Sequence, residues 1–136
     1  VLRKYSAENN LGMQIVLAKD YGDSLRLVEE GSAMAFAMDD ILLFGLKANA
    51  KDPDSLEVVG DTLQVEPYGC MLRKDDPEFK ALVDRTITRL MKSGEFEKMY
   101  AKWFESPIPP RGTTLSMPMS EQLKANMTAL SDQPSQ

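Results

Sequence analysis

The sequence predicts an α/β protein in which helices alternate with short apolar segments forming a partly parallel sheet. Three observations carry this expectation. Ala33 to Met38 (AMAFAM) is apolar with no polar alternation, the pattern of a strand covered on both faces. Asp76 followed by Pro77 is a helix start, and Phe79, Leu82, Val83, Ile87, Leu90 and Met91 then recur at steps of three and four. Helical and strand-like segments also take turns along the chain, the order that builds α/β sheets.

Val1 to Leu11 mixes Leu2, Tyr5 and Leu11 with charged residues and reads as the end of a helix running into a loop at Asn9 and Asn10. Met13 to Ala18 (MQIVLA) is short, branched and strand-like. KDYGDS follows as a turn, with Asp23 or Ser24 as the cap of a short helix from Leu25 to Glu30 that Gly31 ends. After the strand AMAFAM come Asp39 and Asp40, and then a helix from Ile41 to Ala50. AKDPDS is a loop, Leu56 to Gly60 a strand, and Tyr68 to Arg73 another strand after Pro67. The helix that starts at Asp76 is interrupted by Gly94, and Phe96, Met99, Tyr100, Trp103 and Phe104 continue the pattern in a second helix. The tail beyond Glu105 is irregular, with a short peripheral helix over Ser120 to Leu130 and a disordered SDQPSQ end.

Composition narrows the function. The 136 residues suit about one domain, and 43% hydrophobic residues are enough for a core. A net charge of −5 disfavours a nucleic-acid partner, which needs a basic face. No apolar stretch approaches the ~20 residues of a membrane span. The opening VLRKYSAENN has no signal-peptide architecture. One cysteine excludes an internal disulfide, and Cys70 in its apolar segment reads as a small buried hydrophobe. The absence of histidine removes the commonest general base and the commonest metal ligand. No cofactor or metal pattern is expected.

If MQIVLA and AMAFAM are parallel in one sheet, right-handed crossovers put KDYGDS and the Asp39–Asp40 pair on the same carboxyl edge, where open α/β sheets bind ligands. One aspartate, most naturally Asp40, is expected to cap the helix that begins at Ile41. A single cap does not account for both carboxylates. Asp39 is then a strand-end carboxylate suited to an ammonium group. Tyr21 is either a surface turn residue or a rim residue with its hydroxyl in a cleft. Lys19, Asp20 and Asp23 read as solvated, and the aromatic series from Phe96 to Phe104 as helix packing.

Three segments, GDSLRLVEEGSAMAFAMDD, VEPYGCMLRKDDPEFKALVD and SGEFEKMYAKWFESPIPP, resemble the periplasmic glutamate/aspartate-binding proteins of ABC importers. The resemblance is weakest at the start of the chain and in its last twenty or so residues. It implies the class II periplasmic-binding-protein-like fold, two lobes with an amino acid between them, of which this chain resembles the C-terminal half. Residues 1–66 would belong to the second lobe. Residues 67–105 would form a crossing segment, near Pro67 to Leu72, and helices returning to the first lobe; 106–136 would be a tail. By matching position, Asp39 takes the place of the aspartate that binds the ligand ammonium. Tyr21 falls where these binders place a histidine, a departure that bears on acidic side-chain specificity. The implied partners are an amino acid and an inner-membrane permease, the implied location the periplasm, and the implied activity binding, not catalysis. The rival readings are an enzyme on the same fold, dehydratase-like, or the ligand-sensing domain of a receptor. The chain alone is expected to self-associate, because Phe96, Met99, Trp103 and Phe104 would expose an apolar face.

Overall fold

The computed structural model describes residues 1–60, 62–66 and 68–131. The chain divides into two units, Val1–Gln64 and Val65–Gln136.

The first unit holds α1 (Leu2–Glu8), α2 (Tyr21–Glu29), α3 (Asp40–Ala48) and a tight 3-10 turn at Pro53–Ser55. The first helix ends where its asparagines predict, at Asn9, whose side chain donates to the Tyr5 carbonyl at 2.9 Å. The buried Ser6 then accepts the Met13 N–H at 3.0 Å and draws the departing chain back onto the helix. Helix α2 begins a turn earlier than expected. Its cap is Asp20, whose carboxylate accepts the Asp23 N–H at 2.8 Å, so KDYGDS is largely helix and not turn. It stops at Gly31, which takes the left-handed φ of 73° that a side chain disfavours.

The second unit holds α4 (Pro77–Lys92), α5 (Glu95–Tyr100) and α6 (Glu121–Ala129). Helix α4 starts as its sequence predicts: Asp76 accepts the Phe79 N–H at 3.1 Å and Pro77 fills the first helical position. Gly94, at φ 74°, separates it from α5. The expected helix over Phe96 to Phe104 is α5 continued by a wider π-type turn, Ala101–Glu105. The Tyr100 and Phe104 rings stack across it at 4.4 Å between centroids. The tail returns to this point: the Phe104 carbonyl accepts the Met117 N–H at 3.1 Å, and the Tyr100 hydroxyl donates to the Pro118 carbonyl at 3.4 Å. Ser120 caps α6 by accepting the Leu123 N–H at 3.2 Å. Of the SDQPSQ end, residues 132–136 lie outside the described residues, as does Pro67.

Among the described residues no strand is formed, and the partly parallel sheet expected from the sequence is absent. Residues 13–18, 33–38, 56–60 and 68–73 are non-helical and join no ladder. An isolated antiparallel bridge links Ile108 and Thr113. The physical reason is that apolar runs encode a wish for burial, whereas a strand needs a neighbour to take its N–H and C=O groups. The core is correspondingly small. Among the described residues the buried hydrophobic side chains are Tyr100 (7% exposed) and Met117 (8%), while Met34 of AMAFAM is fully exposed. Cys70, expected to be buried, is exposed as well.

With so little core, caps matter to helix stability. Asp76→Ala is expected to cost about 1 kcal/mol of α4 stability, and Asp76→Asn to recover most of it. Thermal melts followed by helical circular dichroism check this; a wild-type melt for the alanine variant would remove the cap from the account.

Candidate functional site

The two sequence-predicted site residues stand at the first turns of successive helices. Asp39 is the N-cap position of α3, with φ −57° and ψ 138°. Its main-chain carbonyl accepts the N–H groups of Leu42 and Leu43, both at 3.0 Å, but its side chain makes no cap bond. Asp40 is the first helical residue, one position earlier than the expected start at Ile41, and its Oδ1 accepts the Ile41 N–H at 2.7 Å. The two neighbours therefore divide the work. The backbone of Asp39 and the side chain of Asp40 close the helix start, and the cap does not use the Asp39 carboxylate. Both residues are exposed. Both sit at the N-terminal end of α3.

Tyr21, expected either as a surface turn residue or as a rim residue, is the first residue of α2 and is half exposed. The acidic residues around it are structural. Beyond the Asp20 cap, Asp23 Oδ1 accepts from the Arg26 guanidinium at 2.6 Å, and Asp23 Oδ2 accepts the Lys19 N–H at 3.3 Å. Arg26 reaches one turn further to Glu30 at 2.7 Å. The side-chain bond from Arg26, and after it the Lys19 N–H, hold the Asp23 carboxyl below the usual carboxylate value, and the same pairing raises Arg26. Asp20 and Asp23 had read as solvated. The signal that identifies them is the spacing Asp20, Asp23, Arg26, Glu30, which puts the cap one turn before Asp23 and sets Arg26 between Asp23 and Glu30 on one helix face.

A long-range contact ties the two helices at their other ends. Glu29, the last residue of α2, accepts the Lys51 N–H at 3.1 Å, and the Lys51 ammonium lies 3.8 Å from the same carboxylate. Lys51 follows the end of α3 closely, so the carboxyl ends of both helices meet there. Tyr21 and Asp39 lie at the opposite ends of their respective helices. Each helix is nine residues, about 13.5 Å, and the intervening AMAFAM segment is long enough to run back that distance. Neither of two shallow concavities, one between Arg3, Ser6, Asn10 and Ile15 and one along Arg85, Arg89 and Lys92, includes Asp39 or Tyr21. Among the described residues no group of histidine, cysteine or acidic side chains could hold a metal ion. No helix among them is long and apolar enough to cross a membrane.

Comparison with known proteins gives this arrangement its context. The family model of the bacterial extracellular solute-binding proteins, family 3, matches residues 4–106. Over 132 residues the chain is 50% identical to the glutamate/aspartate import solute-binding protein of Salmonella typhimurium, covering 97% of this chain and 44% of that protein. It is 50% identical over 125 residues to the Escherichia coli protein of the same description, covering 92% of this chain and 41% of the relative. To the L-glutamate/L-aspartate-binding protein of Pseudomonas aeruginosa it is 48% identical over 132 residues, again 97% of this chain and 44% of the relative. The chain thus spans less than half the length of the curated relatives it matches.

The Asp23–Arg26 pairing has a defined pH response. Because the folded pKa of Asp23 lies below its ordinary value of 3.8, the pairing's contribution is complete above that value and is lost as the pH falls through the lower folded one. The α2 resonances should be steady from neutral pH down to about 5 and shift below the ordinary carboxylate range. In Arg26→Ala the Asp23 midpoint should return toward 3.8. A carboxyl carbon titration by NMR reads both; an unmoved midpoint in the variant would mean that Arg26 is not its cause.

Proposed function

The chain belongs to the bacterial extracellular solute-binding proteins, family 3, and from that membership we propose that it is part of the substrate-binding component of an amino-acid ABC importer. The ligand is glutamate, aspartate or a close analogue, held between two lobes in the periplasm and delivered to the inner-membrane permease. The site reading is a division of labour at α3: Asp40 accepts the Ile41 N–H at the helix start, and Asp39, the N-cap residue, holds the position at which the resembled family binds the ligand ammonium. A ligand ammonium taken out of water between lobes needs a fixed counter-charge, and Asp39 supplies it. Tyr21 faces the ligand side chain from the first turn of α2. No step of this function requires a catalytic group.

In the same reading, residues 1–66 belong to the second lobe, 67–105 carry the crossing and the helices returning to the first, and 106–136 are the tail. The apolar segments 13–18, 33–38, 56–60 and 68–73 become strands of a class II sheet in a protein of the relatives' full length. Their scarcity of charge, with Glu57 and Arg73 the charged residues in them, supports that assignment. Closure of the lobes on the ligand then presents a joint surface to the permease.

Isothermal titration of the full-length protein against glutamate, aspartate, glutamine and asparagine tests the function; ligand recovered unchanged marks a binder, and ligand converted to product an enzyme. Asp39→Ala is expected to lose about 2–5 kcal/mol of amino-acid binding, the scale for truncating one partner of a desolvated charge pair. Asp40→Ala should instead lower the melting point, by about 0.5–2 kcal/mol of stability, and leave affinity nearly intact. Equal affinity losses in the two variants would refute the division.

Tyr21 carries a second expectation. A tyrosine hydroxyl, neutral through the physiological range, donates equally well to a carboxylate and to a carboxamide. Tyr21→His should shift the preference toward glutamate over glutamine, and more at pH 5.5 than at pH 8, because imidazolium forms in the acid range. An acid-to-amide ratio unmoved by mutation and pH would place Tyr21 away from the ligand side chain.

A further inference from the structure

Glu29 joins the two helices that carry Tyr21 and Asp39. Ser6, Asp20, Asp23 and Asp40 bond within seven residues of themselves, whereas Glu29 reaches 22 residues ahead to Lys51. Its side chain is 16% exposed, and its carboxylate accepts the Lys51 main-chain N–H at 3.1 Å. The Lys51 ammonium lies farther off, at 3.8 Å, on a side chain that is 84% exposed, where an ion pair contributes little. The main-chain N–H is therefore the effective partner.

The connection from that bond to Asp39 is stiff. The Ala50 N–H donates to the Lys47 carbonyl at 3.1 Å, and the Asn49 side chain donates to the Gly45 carbonyl at 2.9 Å. The chain before Lys51 is thus bonded to the last turn of α3. At the first turn, the Asp39 carbonyl accepts the Leu42 and Leu43 N–H groups. A second tie closes on the same place, since the Ala33 N–H donates to the Leu27 carbonyl in the last turn of α2 at 2.9 Å. Residues 33–51 therefore form a loop with both ends fastened to the end of α2 and Asp39 between them. Turning α3, about 13.5 Å long, by about 10° at that base moves its first turn by about 2 Å. A binding group has to be held to about 0.5 Å.

We propose that Glu29 is a positioning residue for amino-acid binding: its bond to the Lys51 N–H fixes the Asp39 end of α3 against the Tyr21 end of α2. Glu29 stands at the far end of α2 from Tyr21 and acts through geometry, not by contact with the ligand. That role rests on Asp39 and Tyr21 being ligand-binding residues; the clamp itself does not.

Two measurements on the full-length protein test it. Residual dipolar couplings of the α2 and α3 amides, without ligand, give the angle between the helices, and titration with glutamate and aspartate gives affinity. Glu29→Gln keeps an oxygen for the Lys51 N–H, and Lys51→Ala keeps the N–H, so both should hold the wild-type angle and stay within about twofold of its affinity. Glu29→Ala leaves the N–H without its acceptor. The angle should change or spread, and affinity should fall about tenfold or more, as when a group that orients a metal-binding side chain is lost. An unchanged angle in Glu29→Ala, an unchanged affinity beside a changed angle, or equal damage from Glu29→Gln or Lys51→Ala would each overturn the role. A wild-type protein that binds neither amino acid would refute the ligand reading instead, and a changed angle in Glu29→Ala would still support the clamp. Should Glu29→Ala lose helical signal, amide exchange in the unaltered protein decides: a Lys51 amide as slow as those in the last turn of α3 supports the clamp, and one as fast as an unbonded loop amide overturns it.

Discussion

The first turn of a helix leaves N–H groups with no partner inside the helix, and closing them is the constraint on which most of this structure depends. Asp20, Asp76 and Ser120 do so with their side chains, and Asp39 with Asp40 do so jointly. In a protein with a large core, burial would hold helices whose ends were poorly capped. Here Tyr100 and Met117 are the buried hydrophobic side chains among the described residues, so local hydrogen bonds carry a larger share.

That constraint also positions the candidate site. An aspartate used as a side-chain cap is bonded to its own backbone and has less left for a ligand. At α3 the cap is made by the Asp39 main chain and the Asp40 carboxylate. The same economy is absent from α2, where Asp20 caps, Asp23 pairs with Arg26, and the uncharged Tyr21 is the residue left for other contacts. Two first turns of similar geometry thus offer different chemistry, one a carboxylate and the other a hydroxyl.

Apolar sequence in the first unit is not converted into core. Leu17, Met34 and Val59 lie largely in solvent. The relatives of the solute-binding family that the chain matches are more than twice its length. Exposed extended segments present unpaired N–H and C=O groups, which another strand can satisfy. Within the second unit the tail shows the alternative, since Met117 and Pro118 return to Phe104 and Tyr100, and Tyr100 and Met117 are buried there without a strand among the described residues.

What the sequence determined by itself was local. The Asp76–Pro77 start, the Gly94 break, the asparagine end of α1 and the helix after Ser120 were legible because cap, glycine and proline chemistry acts within a few residues. The start of α2 was misplaced by a turn because two aspartates three apart both suit a cap, and the pairing of Asp23 with Arg26 leaves that role to Asp20. The tertiary structure alone decided whether apolar segments would be covered. Cys70 and Met34 sit in runs that read as buried and are exposed. Periodicity reports which face a segment would bury, but burial and strand pairing need a second segment brought from afar, against the entropy of closing the loop between them.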